Sequence, residues 1–167
     1  YSKNKIINKI NSYFGYKLIA EVKLKSFNAE IKSKKIKNSM IKSYKNFNKK
    51  SIIISSNTIC AHFRVWLAEN PKQQSRGLMH IRELPEHTGM LFIYSEEKMR
   101  AMWMKNTLIP LDMIFIRNEG IVSSIVHTTE PLSLKSIRSI EPVQYVLELN
   151  SGMAKNLNLN RNNKILF

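Results

Sequence analysis

A single cysteine, Cys60, in 167 residues rules out an internal disulfide and any zinc site built from four thiolates. No run of about 18 apolar residues occurs, so the sequence offers no membrane-spanning helix. Glycine is scarce, with five in the chain. No Gly-rich phosphate loop can be drawn around any of them, and RGLM carries no phosphate signature. The opening stretch YSKNKIINKINSYFG is too polar to supply the apolar core of a cleavable secretory signal. Acidic residues are also few: 12 Asp and Glu stand against 27 Lys and Arg, a net charge of +15.

That charge is uneven. Residues 1–50 hold 14 Lys and two acids, Glu21 and Glu30, and so carry +12. The remaining 13 basic and ten acidic residues leave +3 on residues 51–167. The composition predicts a basic N-terminal segment joined near residue 51 to a nearly balanced domain. Within the segment, Ile6, Ile7, Ile10 and Phe14 recur at helical spacing, and Gly15 follows as a stop. YKLIAEVKLKSF then alternates in the manner of a strand. From residue 28 to 50 the pattern dissolves into Lys, Asn and Ser, the composition of a flexible linker. Either this is a solvated basic tail, or its lysines (Lys3, Lys5, Lys9 and Lys17 among them) neutralise nucleic-acid phosphates.

The stretch KINSYFGYKLIAEVKLKSF resembles the closing helix and strand of the domain of unknown function 721, a family that includes DciA-type loaders of the bacterial replicative helicase. The resemblance covers only residues 3–27. One helix and one strand cannot bury a core alone, so the segment reads either as a remnant of a longer fusion or as a fragment, and helicase loading does not follow from it.

From Ser51 onward the pattern is mostly β. IIISSNTICAHFRVWLA has two apolar runs around a polar SSN turn. NPKQQSRG predicts a short helix, with Asn70 as its cap and Pro71 in its first turn. GMLFIY reads as a buried strand and SEEKMRA as a polar turn capped by Ser95. MWMKNT reads as a strand, and LDMIFIRNEGIVSSIVHT as a hairpin turning at RNEG. VQYVLELN is a further strand, SGMAKNLNLN a short helix with Ser151 as cap, and KILF a last strand. The expectation is a mainly β fold, a sandwich or barrel with two small helices. QQSRGLM, GMLFIY, MWMKNTLIPLDMIFI and YVLELNSGMA, in that order, resemble the motifs of the domain of unknown function 192 across residues 51–167. The resemblance implies a compact, jelly-roll-like β domain and no particular activity. Members of that family often carry an export signal; none is visible here, which leaves the compartment open.

Six methionines fall between Met79 and Met113. Thioethers bind soft metals, but Met is more often an adaptable core filler. Packing is the reading kept, and neither metal nor cofactor is expected. Pro110 predicts a corner between two strands. Asp112 then begins an apolar strand, and Glu148 sits inside another between Leu147 and Leu149; a carboxylate in either place needs a partner. Arg76, at the end of the short helix, is the natural partner for Asp112. Arg76, Asp112 and Glu148 therefore form either a structural ion-pair network or, with Asn106 and the apolar wall of Trp103, a pocket for a small polar ligand. Asp112 and Glu148 as an acid–base pair of a hydrolase is a further alternative. Cys60 reads as a small core residue, and His127 as loop surface. The function expected is a non-enzymatic module binding a small molecule or protein partner, with nucleic-acid association through residues 1–50 as the alternative.

Overall fold

The computed structural model of the chain describes residues 44–167. The basic helix and strand expected at residues 3–27, and the expected linker up to residue 43, lie outside the described residues. Strands β1 (Lys49–Ser55) and β2 (Cys60–Ala68) form an antiparallel hairpin. Its turn is pinned where the Ser56 backbone N–H donates to the Ile59 carbonyl at 2.8 Å and the Ile59 N–H donates to Ser56 Oγ at 3.1 Å. Helix α1 (Pro71–Arg76) starts where the Asn70 side chain accepts the Gln73 N–H at 3.0 Å. It stops at Gly77, whose φ of 46° suits a residue without Cβ. The chain then crosses over to β3 (Thr88–Lys98), which runs parallel to β2. There follow β4 (Ala101–Met102), β5 (Leu111–Ile116), β6 (Val122–Val126), β7 (Ile137–Arg138), β8 (Val143–Asn150), helix α2 (Met153–Asn156) and β9 (Lys164–Leu166).

Seven strands make one sheet in the order β6-β5-β8-β3-β2-β1-β9, and β4 pairs with β7 in a separate two-stranded ribbon. The large sheet curls until its outer strands meet. Ile121 bridges Lys164, the Val122 N–H donates to the Asn163 carbonyl at 2.9 Å, and the Ile165 N–H donates to the Gly120 carbonyl at 2.8 Å. Curling divides the side chains into two cores, because successive strand residues point to opposite faces. The inner one joins Ile52, Ile54, Phe63, Val65, Leu91, Ile114, Leu147 and Ile165, with Met153, Ala154 and Leu157 of α2 and its C-cap packed into it. The outer one joins Trp66, Met90, Phe92, Met113, Phe115 and Val146 beneath a cover that includes Leu78, Ile81, Leu84 and Met104. Strand β5 is buried along its whole length for this reason: both of its faces are covered.

The mainly β expectation with two short helices holds, and three local expectations do not. The polar SEEK stretch extends β3 instead of turning; it projects past the covered part of the sheet, where polar side chains are solvated. Of MWMKNT only Met102 is strand, at the end of β4. Beyond it the chain turns, with the Thr107 N–H donating to the Met104 carbonyl at 3.0 Å and Asn106 at φ 58°. A left-handed residue cannot continue a ladder, and Asn tolerates that conformation better than most. The packed unit also begins before residue 51. Tyr44 is fully buried, its ring 5.4 Å from Trp66 and 4.9 Å from Phe47, so residues 44–50 are part of the fold and not a linker.

Candidate functional site

Asp112 stands at the end of the curled sheet where α2 enters the inner core. Its carboxylate is fully buried. Oδ2 accepts the Ala154 N–H at 2.9 Å and Oδ1 accepts the Thr128 N–H at 3.0 Å. The first of these bonds replaces a missing helix cap: the N-cap residue of α2 is Gly152, which has no side chain to offer. Ser151, the expected cap, donates instead to Thr128 Oγ1 at 2.8 Å. Asp112 therefore ties together two segments that no local spacing relates, the turn after β6 and the start of α2. The imidazole Nδ1 of His127 lies 4.0 Å from Asp112 Oδ1, with half of the ring side exposed.

These two segments form the sides of a cleft of about 250 Å³, lined by His127, Thr128, Gly152, Lys155, Asn158, Leu159 and Asn160. Its rim is held by side-chain bonds. Asn158 Nδ2 donates to Thr58 Oγ1 at 3.3 Å, Asn160 Nδ2 to the Asn158 carbonyl at 2.9 Å, and the Asn160 N–H to Asn163 Oδ1 at 2.7 Å. Lys155 and His127 supply the cationic and titratable groups of the lining, which contains no acid. Such a cleft suits a small polar molecule bearing negative charge.

Glu148 belongs to a different environment. Strand register sets Trp66, Met90, Glu148 and Met113 side by side across β2, β3, β8 and β5. The carboxyl thus lies between two methionines, and burial pushes its pKa up to about 8. Glu148 Oε2 and Trp66 Nε1 have no hydrogen-bond partner among the described residues. Tyr44 lies in this region. Burial pushes its phenol up to about 12, against the opposing effect of the Arg76 charge and with a smaller upward contribution from Glu148. Its hydroxyl donates to the Gly77 carbonyl at 3.0 Å, and the Arg76 guanidinium sits over its ring at 5.0 Å.

The five residues singled out from sequence do not meet. Asp112 is paired in register with Leu149, and Glu148 with Met113, so the two carboxyls leave the sheet on opposite faces. The expected three-membered network of Arg76, Asp112 and Glu148 is absent among the described residues, as is the hydrolase pair. Arg76 is exposed and stacked on Tyr44; two backbone N–H groups take the place it was expected to fill beside Asp112. Trp103 is half exposed, with Lys105 Nζ 5.1 Å from its ring centre. Asn106 is an exposed turn residue. Its carbonyl accepts the His80 N–H at 2.8 Å and its Nδ2 approaches Met79 Sδ at 3.9 Å. Sequence reasoning missed His127, Lys155, Asn158 and Asn160. The Asn-rich run NLNLN was the available signal, since such a run at the close of a helix builds turns with polar linings. Cys60 is a free, half-buried thiol whose pKa burial raises, and among the described residues no three His, Cys, Asp or Glu side chains are grouped to hold a metal.

The DUF192 family model, described as "Uncharacterized ACR", matches residues 52–167. No curated protein matches the chain in sequence. The solved structures similar to it include two crystal structures. One is of a candidate transcription regulator from Sinorhizobium meliloti, with 38% identity and a TM-score of 0.69, covering 71% of this chain and 93% of its own. The other is of a protein of unknown function from Novosphingobium aromaticivorans, with 30% identity and a TM-score of 0.69, covering 71% of this chain and 85% of its own.

Proposed function

The chain belongs to the DUF192 family, and from that premise we propose that its β domain is a non-enzymatic binding module for a small, polar, negatively charged molecule. The observation that carries this reading is the cleft whose two sides are tied together by the buried Asp112 carboxylate. A site fixed before its ligand arrives spends less on ordering loops, which favours affinity from few contacts. Lys155 would supply the charge and Thr128 a hydroxyl, with the His127 ring beside them. Nothing in this arrangement requires bond breaking, and the two carboxyls proposed for hydrolysis face opposite sides of the sheet.

The reading is checked by amide chemical-shift mapping with inorganic phosphate, citrate and glycerol phosphate as probes. Shifts clustered at residues 127–128 and 152–160, and lost in Lys155→Ala, support it. If none of the three probes perturbs those residues, or if Lys155→Ala binds as tightly as the parent chain, the reading fails.

Nucleic-acid association is the second reading. It is favoured by the +12 charge of residues 1–50 and by the description of one structural relative as a candidate transcription regulator. Binding of duplex DNA should fall steeply as salt rises and should vanish when Lys3, Lys5, Lys9 and Lys17 are replaced together by Ser. Unchanged affinity in that variant would remove the reading.

A further inference from the structure

Six large apolar side chains are exposed among the described residues: Met99, Trp103, Leu108, Leu132, Leu134 and Ile140, from 39% at Leu108 to 71% at Leu134. All six come from two segments that lie side by side. Ala101 pairs with Arg138 and Met102 with Ile137 in the β4–β7 ribbon. The contact continues at both ends: the Ser139 N–H donates to the Arg100 carbonyl at 2.9 Å, the Met104 N–H to Ser133 at 3.1 Å, and the Leu132 N–H to Thr107 at 3.0 Å. Met102, Met104 and Ile137 turn inward onto the outer core. Trp103, set between the inward-facing Met102 and Met104, is left on the outer side, and the other five side chains are exposed on the same two segments. Large apolar side chains concentrated on two paired segments, and not scattered over the surface, mark an interaction site.

The charges on the ribbon have one sign. Residues 99–108 contain Arg100 and Lys105, residues 132–140 contain Lys135 and Arg138, and neither segment contains an acid. Lys105 lies against the Trp103 ring at 5.1 Å, so an apolar ring and an ammonium are presented together. We infer that this ribbon docks the domain on an anionic lipid bilayer, with Trp103, Leu134 and Ile140 entering the headgroup–acyl boundary and Lys105, Lys135 and Arg138 meeting the phosphates. The exposed apolar side chains are interspersed with cations along both segments, the pattern of an interfacial anchor. Tryptophan and lysine both favour that boundary, where one end of the side chain is apolar and the other wet. Lysines of residues 1–50 add to the attraction for a negative surface without supplying apolar anchors. This docking is independent of the cleft: no residue of the ribbon lines it.

Vesicle flotation of the full chain tests the inference, using vesicles of phosphatidylcholine alone and of phosphatidylcholine with phosphatidylglycerol in equal parts. Trp66 is buried and Trp103 half exposed, so a blue shift of tryptophan emission reports on Trp103. Binding and a blue shift are expected with phosphatidylglycerol and not without it. The double variant Trp103→Ser/Leu134→Ser should bind at least about tenfold more weakly, while its thermal midpoint stays unchanged because both sites are exposed. Equal binding by the variant would overturn the inference, since the basic N-terminal segment alone would then account for attachment. It is likewise overturned if the parent chain ignores anionic vesicles, if duplex DNA shifts Trp103 emission and vesicles do not, or if the double variant turns a dimer into a monomer without changing vesicle binding.

Discussion

Glu148 and Asp112 lie one pairing step apart on neighbouring strands, β8 and β5, and face opposite sides of the sheet. The two carboxyls therefore do different work. Asp112 accepts two backbone N–H bonds at the edge of the inner core, whereas Glu148 sits between Met90 and Met113 in the outer one. Each can be changed without disturbing the other's partners.

Replacing Asp112 with Ala leaves the Thr128 and Ala154 N–H groups without their acceptor. Each lost acceptor costs about 1–3 kcal/mol, so Asp112→Ala should destabilise the fold by about 2–6 kcal/mol in chemical denaturation. Asp112→Asn keeps one acceptor oxygen and should cost roughly half as much. Equal losses in the two variants would mean that the carboxylate matters through its charge and not as a double acceptor.

The raised pKa of Glu148 makes stability depend on pH in a defined direction. Between the ordinary carboxylate range and about 8 the folded chain holds a proton that the unfolded chain has released. Stability from this group is therefore complete at acid pH and is lost as pH rises toward 8, with a slope of at most about 1.4 kcal/mol per pH unit. Glu148→Gln removes the titration. Denaturant midpoints measured from pH 5 to 9 should decline for the parent chain and stay flatter for the variant; parallel curves would contradict the burial of this carboxyl.

Tyr44 gives a sharper domain boundary than composition does. A chain beginning at residue 51 loses the rings of Tyr44 and Phe47 and the first two residues of β1. It should be less stable than a chain beginning at residue 44 by at least about 3 kcal/mol, the usual cost of deleting a buried aromatic. Differential scanning calorimetry of the two chains checks this, and equal midpoints would show that Tyr44 is dispensable.

Gly89 permits close packing of β3 on β8. A Cβ there would collide with the Glu148 carbonyl and lie 2.7 Å from Leu149 Cδ2. Gly89→Ala should destabilise by about 1–3 kcal/mol as β8 is forced outward. The Glu148 region should report the shift first, through altered tyrosine or tryptophan fluorescence.

Much of the sheet could be read from the chain because its signals are local. Asn70 and Pro71 announce α1, RNEG announces the β5–β6 turn, and VQYVLELN matches β8 residue for residue. The Met102–Pro110 stretch was misleading because it alternates like a strand, while its ladder stops at Met102 and the chain turns through the left-handed Asn106. Tyr44 was hidden by the lysines around it. The cleft was the least legible feature. Asp112 meets Thr128 and Ala154 across 16 and 42 residues of sequence, and no spacing rule fixes the strand register that sets β5 beside both the end of β6 and the end of β8. The motif containing Trp103 and Asn106 identified the family, yet its Trp103 lies on the exposed ribbon and not in the cleft.

The closure of the curled sheet through Ile121 and Lys164 has a consequence for biosynthesis. Strand β9 follows every other strand in the chain, so during synthesis the outer edges of β1 and β6 remain open until residues 164–166 emerge. Open edges with Ile52, Ile54 and Val122 behind them are templates for pairing with a neighbouring chain. The three residues of β9 thus serve as a late seal. Their loss would show first as aggregation during expression, before any change in a binding assay.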